Sequence, residues 1–157
     1  MPKKISYASS GVKYELLDPI KKLAQKSALS TKSLLSPYRE ISESRGESAY
    51  VWDEGKSYKA LVIEGLGTKN LVADEMEKVT GKTYYAAIAQ DTVAMIVNDL
   101  LVVGAKPQVI NAYFAVGDSQ WMSNQKRSEA LIKGWTKACE LSGATWGGGE
   151  LGWSFLA

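Results

Sequence analysis

The sequence predicts an α/β or α+β fold, because segments typical of strands alternate with segments typical of helices. The clearest strand-like segments cover residues 58–63 and 108–116, and the clearest amphipathic helix covers residues 123–141. With 157 residues, 45% of them hydrophobic and 23% charged, the chain has the size and composition of one globular domain. We therefore expect helices packed against a sheet around one core.

The start of the chain is predicted to hold an arm and one short helix. Residues 1–17 are polar and contain a glycine, so we expect a mobile arm there. Asp18 and Pro19 are typical of a helix start, as the N-cap and the first helical residue. We expect this helix to end near Ala28, with one apolar face made by Ile20, Leu23 and Ala24.

A loop and a hairpin are expected next. Residues 29–48 are rich in serine and charge, which is typical of a loop. Residues 49–53 and 58–63 are strand candidates, and the Asp-Glu-Gly-Lys turn between them indicates a β-hairpin.

The rest of the chain is predicted to contain three helices and two strands. A helix over residues 70–79 should end with Gly81 as its C′ residue, and a helix containing residues 91–103 should stop at Gly104. The helix over residues 123–141 should be capped by Gly143. Its inward side chains are expected to be Ala130, Leu131, Trp135, Ala138 and Cys139. Strands are predicted over residues 108–116 and 144–146, and no structure is obvious after residue 150.

Composition excludes several classes of function. The chain has no histidine and one cysteine, so catalytic triads that use histidine, intrachain disulfides and ordinary zinc sites are excluded within it. A net charge of +2 gives no argument for nucleic acid as a partner. We also see no signal peptide and no unbroken apolar run of membrane-spanning length, and therefore expect a cytoplasmic location.

Polar side chains on an apolar helix are the strongest functional signal. The segment DTVAMIVNDLLVV is apolar on nearly all sides, yet it carries Asp91, Asn98 and Asp99. Buried charged groups must be paired, hydrogen-bonded or bound to a metal. One interpretation is structural, with Asp91 as a helix N-cap and the other two bonded to backbone or an arginine. The other is a site for Mg²⁺, which prefers oxygen ligands and usually arrives with phosphates.

Two glycine-rich segments are candidates for contact with an anion. Gly65, Gly67, Thr68 and Lys69 lie between a strand and a helix, where backbone N–H groups, the helix N-terminus and a cation favour phosphate. Such turns are common, so this segment alone predicts phosphate binding only weakly. Residues 147–150, Gly-Gly-Gly-Glu, follow a short strand and either form a loose turn or present Glu150 to a ligand.

Together these segments resemble the phosphoribosylformylglycinamidine cyclo-ligase family, also called aminoimidazole ribonucleotide synthetase. The family pattern D-G-V-G-T-K corresponds to residues 64–69, and I-D-x-V-A-M-x-V-N-D-L-x-V-x-G-A-x-P corresponds to residues 89–107. Its D-Y-x-A-x-G and G-G-E motifs correspond to residues 111–117 and 148–150, and its Y-x-x-A-G-V arm resembles residues 7–12. Glu64 and Asn111 depart from the family's usual aspartates.

The resemblance implies ATP-dependent closure of the imidazole ring of aminoimidazole ribonucleotide. It implies contacts with ATP phosphates for Gly65, Gly67, Thr68, Lys69, Gly148, Gly149 and Glu150. It implies a role with Mg²⁺ for Glu64, Asp91, Asn98 and Asp99. It also implies a mixed sheet packed on helices, which completes a barrel across a homodimer.

The same resemblance suggests how the chain is divided. We expect an arm, helix and loop over residues 1–48, a synthetase-like domain over residues 49–150, and a tail outside the family pattern over residues 151–157. Because the pattern stops after its G-G-E motif, we expect the N-terminal half of the enzyme, with doubtful activity of its own. Two other functions stay open, a non-catalytic dimerisation or ATP-binding module and a small-molecule kinase of the same superfamily.

Overall fold

The computed structural model describes residues 13–153, apart from the side chain of Trp153, as four α-helices and five β-strands. The helices are α1 (Tyr14–Leu29), α2 (Lys69–Thr80), α3 (Tyr85–Val102) and α4 (Gln125–Ser142). The strands are β1 (Arg39–Glu40), β2 (Tyr50–Asp53), β3 (Tyr58–Leu61), β4 (Val109–Val116) and β5 (Thr145–Trp153). The predicted arm motif at residues 7–12 lies outside the described residues.

The strands form two small sheets of opposite kinds. Strands β1, β2 and β3 make an antiparallel sheet in that order, with Val51 opposite Ala60, which confirms the predicted hairpin. Strands β4 and β5 run parallel, with Ala112 opposite Gly149. The mixed α/β architecture expected from the sequence is therefore present, with its antiparallel and parallel strands in separate sheets.

The core lies between α3, α4 and the inner face of β4. Ala89 and Val93 of α3 are 0% and 1% exposed. Gly134 brings α4 close to α3, because a Cβ at this position would lie 2.6 Å from Cα of Ala86. The neighbouring Trp135 packs edge-on against Phe114, with 5.4 Å between the ring centroids. These contacts join the two helices to the parallel sheet.

Several predictions for the C-terminal half are confirmed. Gly81 and Gly143 both adopt left-handed backbone conformations just after α2 and α4, with φ of 69° at each. Strand β4 matches its predicted range within one residue, and its burial alternates along the strand. The predicted inward side chains of α4 are buried or partly buried. Burial also raises the pKa of the Cys139 thiol, in agreement with a small core side chain.

The predicted start of the first helix is wrong. Helix α1 begins at Tyr14 and contains Pro19 in its interior, so Asp18 is not its N-cap. Its apolar face is also not buried, since Ile20 is 64% exposed and Leu23 is 60% exposed. The loop predicted over residues 29–48 contains β1, which adds an edge strand to the hairpin. Local signals placed the helix but gave no information about what it packs against.

The expectation for α3 needs two corrections. The helix starts at Tyr85, so Asp91 lies in its second turn and is not an N-cap. Its burial is one-sided within residues 13–153, and Leu101 and Val102 are 58% and 71% exposed. By length and composition alone, with a mean hydropathy of 1.2, α3 is apolar enough to cross a membrane. That is weak evidence, because core helices of globular proteins pass the same test.

The end of the chain is more regular than predicted. Strand β5 does not stop at Trp146 but continues through the three glycines to Trp153. Its register with β4 shifts between Ile110 and Asn111, and Gly148 has a φ of 128° there. A β-bulge at a glycine explains why the segment resembles a loose turn in the sequence.

A buried ion pair stabilises the antiparallel sheet. The Glu40 side chain is 1% exposed and forms a hydrogen-bonded ion pair with Arg45. The Tyr50 hydroxyl donates a hydrogen bond of 2.9 Å to the same carboxylate. Hydrogen bonding from Arg45 is the largest cause that lowers the pKa of Glu40, from 4.5 to about 2, against the opposing effect of burial.

This pair predicts how the stability of the sheet depends on pH. Because the pKa of Glu40 is lower in the folded chain, its contribution is complete above pH 4.5 and is lost as the pH falls towards about 2. Glu40→Gln should lower the free energy of unfolding at pH 7 by at least about 2 kcal/mol, since it leaves Arg45 without its charge partner. It should also flatten the acid limb of the stability curve.

Urea denaturation at several pH values measures both effects. Glu75→Gln is the matched control, because Glu75 pairs with Lys78 on the surface and its side chain is 71% exposed. Equal losses of unfolding free energy in the two variants would contradict the stabilising role of Glu40.

Candidate functional site

An ion pair joins two of the motifs that the sequence singled out. Lys69 is the first residue of α2, and its Nζ donates a hydrogen bond of 2.9 Å to the Asp91 carboxylate on α3. The two side chains are 54% and 51% exposed, so both charges face solvent. The structure therefore brings together one predicted phosphate ligand and one predicted metal ligand.

The loop before α2 exposes backbone groups at a helix N-terminus. Gly67 has a φ of 69°, a conformation that glycine adopts without strain. Thr68 is the N-cap residue but makes no side-chain capping bond, and the first turn of α2 holds no acidic residue. Glu64 is exposed, and its carboxylate accepts a hydrogen bond of 3.1 Å from the backbone N–H of Gly65. The loop thus keeps free N–H groups beside the cation of Lys69.

The other two polar residues of α3 lie away from this pair. Asn98 and Asp99 follow Asp91 by seven and eight residues, which places them roughly 11 to 12 Å further along the helix axis. One Mg²⁺ ion binds its ligands at about 2.1 Å, so Asp91 and Asp99 of one helix cannot hold the same ion. Within residues 13–153, no group of three or more acidic or cysteine side chains is arranged to enclose a metal.

Sheet packing accounts for the glycines of β5. A Cβ on Gly149 would overlap the carbonyl oxygen of Ala112, and a Cβ on Gly147 would lie 2.7 Å from Oδ1 of Asn111. Glu150 is exposed, and its carboxylate accepts a hydrogen bond of 3.2 Å from the Leu151 N–H. In the described part of the chain, no hydrogen bond or ion pair connects residues 148–150 with the loop before α2. Their contact with ATP stays a prediction.

A large groove lies elsewhere in the described part of the chain. It has a volume of about 1020 Å³ and lies between the β2–β3 hairpin and the turn from α3 into β4. Tyr58 and Lys59 line one side, and Val103 and Lys106 line the other. None of the sequence-predicted site residues lines it, so we assign the candidate site from the ion pair and not from the groove.

The sequence patterns did not indicate a cluster of side chains that the structure places around Arg127. Its guanidinium lies 4.1 Å from the ring centroid of Trp121 and 3.7 Å from the Asp74 carboxylate. The Tyr85 hydroxyl donates a hydrogen bond of 2.9 Å to the same carboxylate. Burial and this bond raise the pKa of Tyr85. One signal was available, because Arg127 lies four residues before the buried Leu131 and therefore on the inward face of α4.

Comparison with known proteins assigns the family. Residues 46–153 match the family model described as AIR synthase related protein, N-terminal domain. The chain belongs to this family. The match extends from before β2 to the end of β5, so it includes Lys69, Asp91 and residues 148–150.

Relatives carry the name phosphoribosylformylglycinamidine cyclo-ligase. The one from Methanobrevibacter smithii is 34% identical over 131 residues, which are 83% of this chain and 35% of the relative. Those from Methanosarcina barkeri and Aromatoleum aromaticum are 32% and 31% identical and cover 94% and 93% of this chain. The chain spans 40% and 39% of the length of these two.

The close approach of β5 to β4 gives a prediction for this AIR synthase related domain. Gly149→Ala should lower the free energy of unfolding by about 1 to 3 kcal/mol, because the added methyl group must displace the Ala112 carbonyl. Chemical denaturation measures this change. Gly117→Ala is the control, since a Cβ at Gly117 meets no atom within 4 Å. A stable Gly149→Ala variant would show that this glycine is not required by the sheet.

Proposed function

We propose that the chain is the ATP-binding part of a cyclo-ligase that closes the imidazole ring of aminoimidazole ribonucleotide, in purine biosynthesis. The observation that carries this proposal is the ion pair between Lys69 and Asp91, which joins the glycine-rich turn before α2 to the long central motif of a domain that belongs to the AIR synthase related family. The substrate would be formylglycinamidine ribonucleotide, and ATP would supply the driving force.

The residues at the start of α2 fit a phosphate group. Lys69 provides an exposed ammonium, and the N–H groups after Gly65 and Gly67 provide donors at a helix N-terminus. These groups would position and neutralise the phosphates, which is most of what a protein contributes to phosphoryl transfer. Thr68 adds a hydroxyl that makes no capping bond.

The Asp91 carboxylate fits a cation that arrives with phosphates. A positive charge already lies 2.9 Å from it, and half of its surface is open to solvent. Since residues 13–153 contain no cage of three acidic ligands, the fit is to Mg²⁺ that keeps water and phosphate ligands, and not to an ion held by protein alone. Bound there, Mg²⁺ would neutralise phosphate charge. Asp99, Asn98 and Glu64 would serve a second position or orient water.

The proposed activity belongs to a longer protein than this chain. The three relatives are more than twice as long as the part that this chain matches. We propose that the chain alone binds nucleotide, in the cytoplasm, and does not turn over without the remainder of the enzyme.

A homodimer is the proposed assembly, and a dimerisation module is the second candidate function. The outer face of the parallel β4–β5 sheet is open, with Val109 61% exposed and Tyr113 67% exposed. Parallel strands are normally covered on both faces. A second copy that closes a barrel against this face would cover it.

Nucleotide binding tests the main proposal. Calorimetric titration with a non-hydrolysable ATP analogue should show binding that requires Mg²⁺, and Asp91→Asn should weaken this binding roughly tenfold, the loss expected for one charge-assisted contact. Glu129→Gln is the control, because Glu129 forms a similar exposed ion pair with Lys133 on α4. A folded chain that binds no analogue would favour the dimerisation module.

Light scattering tests the assembly. The chain should be dimeric at micromolar concentration, and Tyr113→Asp should make it monomeric by placing a charge on the open sheet face. Tyr38→Asp is the control, since Tyr38 is also exposed, at 47%, but lies just before β1. A wild-type chain that is monomeric under these conditions would contradict the proposed dimer.

A further inference from the structure

We propose that Lys69 and Asp91 form an exchangeable ion pair that couples the binding of a divalent cation to the binding of phosphate. Each side chain must release the other before it can take its own ligand. This inference rests on the proposed nucleotide site, and it concerns how the free chain controls that site.

The first step is that these two charges are each other's partners. In the described part of the chain, the Asp91 carboxylate accepts one hydrogen bond, from Lys69, and the Lys69 ammonium donates one, to Asp91. Neither forms an ion pair with any other residue of that part. Glu40 differs, because its carboxylate is 1% exposed and has Arg45, Tyr50 and Lys32 around it.

The second step is that the pair can open without unfolding its surroundings. Both side chains are about half exposed, so water replaces the lost contact, and exposed pairs of this kind contribute little to stability. Helix α2 stays attached through a separate contact, the hydrogen bond from the buried Tyr85 to Asp74. Arg127 of α4 lies 3.7 Å from the same Asp74.

The third step is electrostatic. With the Lys69 ammonium 2.9 Å from it, the Asp91 carboxylate already has a cation at the position that a metal ion would take. A cation alone is therefore opposed by Lys69, and a phosphate alone is opposed by Asp91. When both ligands arrive together, Asp91 pairs with the cation and Lys69 with the phosphate, so no charge is left unpaired. The two ligands should bind cooperatively for this reason.

The exchange predicts that each substitution should strengthen, and not weaken, the binding of one ion. Removal of the Lys69 ammonium should favour a cation at Asp91, and removal of the Asp91 charge should favour a phosphate at Lys69. Lys69→Met should raise the affinity of the chain for Mn²⁺ alone by about twofold to fivefold. Asp91→Asn should raise the affinity for inorganic tripolyphosphate in the presence of a chelator by a similar factor. Both substitutions should reduce the cooperativity between Mn²⁺ and tripolyphosphate.

The test uses the full chain and these simple probes. Paramagnetic broadening of amide signals around Asp91 reports Mn²⁺ binding, and calorimetry reports tripolyphosphate binding. Lys133→Met and Glu129→Gln are the matched controls, since they make the same changes in net charge at an exposed pair on α4. Lys69→Arg keeps the charge and should leave the Mn²⁺ affinity low.

The outcomes separate this inference from the proposed function. A gain in both single-ligand affinities, absent from the α4 controls, supports the exchange even if no ATP analogue binds. Unchanged or weaker Mn²⁺ binding in Lys69→Met overturns it, and so does the same gain in Lys133→Met. If the ATP analogue binds with Mg²⁺ but neither substitution gives a gain, the proposed function stands and the exchange does not.

Discussion

The contact between α3 and α4 is the constraint on which the rest of the described structure depends. Gly134 allows the two helix backbones to meet at Ala86. Trp135, the next residue, then lies between Phe114 of β4 and Trp146 of β5, with ring centroids 5.4 Å and 6.2 Å away. The same contact fixes the rotation of α3. Since two residues turn a helix by roughly 200°, burial of Ala89 turns Asp91 towards solvent.

The position of Asp91 in turn determines which side chain of α2 it contacts. Among the contacts that attach helix α2 to α3 are the Tyr85–Asp74 hydrogen bond and the Lys69–Asp91 ion pair. The first involves a tyrosine that is 3% exposed, and the second involves two half-exposed charges. A firm attachment and a labile one on the same helix allow the labile one to change partners while the helix stays in place. The fold thereby supplies a rigid support for an adjustable charge pair.

Local signals in the sequence predicted the elements well and their surroundings poorly. Gly81 and Gly143 marked helix ends correctly, because a left-handed C′ residue is a local requirement. The Asp18-Pro19 pair misplaced the start of α1, since a proline within a helix carries the same local pattern as one at its start. Burial of α3 was overestimated for a different reason. An apolar sequence does not say which sides of a helix are covered, and within the described residues only one side of α3 is buried.

The candidate site was predictable as a set of residues but not as a geometry. Sequence spacing correctly places Asp91 and Asn98 on similar faces of one helix, but seven residues of helix also separate them by roughly 11 Å along its axis, which is too far for one ion to bridge. It also gave no sign that Lys69 and Asp91 would meet, because they are 22 positions apart in the sequence. The structure shows that the three candidate polar side chains of α3 lie at two separate positions along the helix. Asp91 contacts the start of α2 through Lys69, whereas Asn98 and Asp99 lie further along α3, so one ion cannot contact all three side chains.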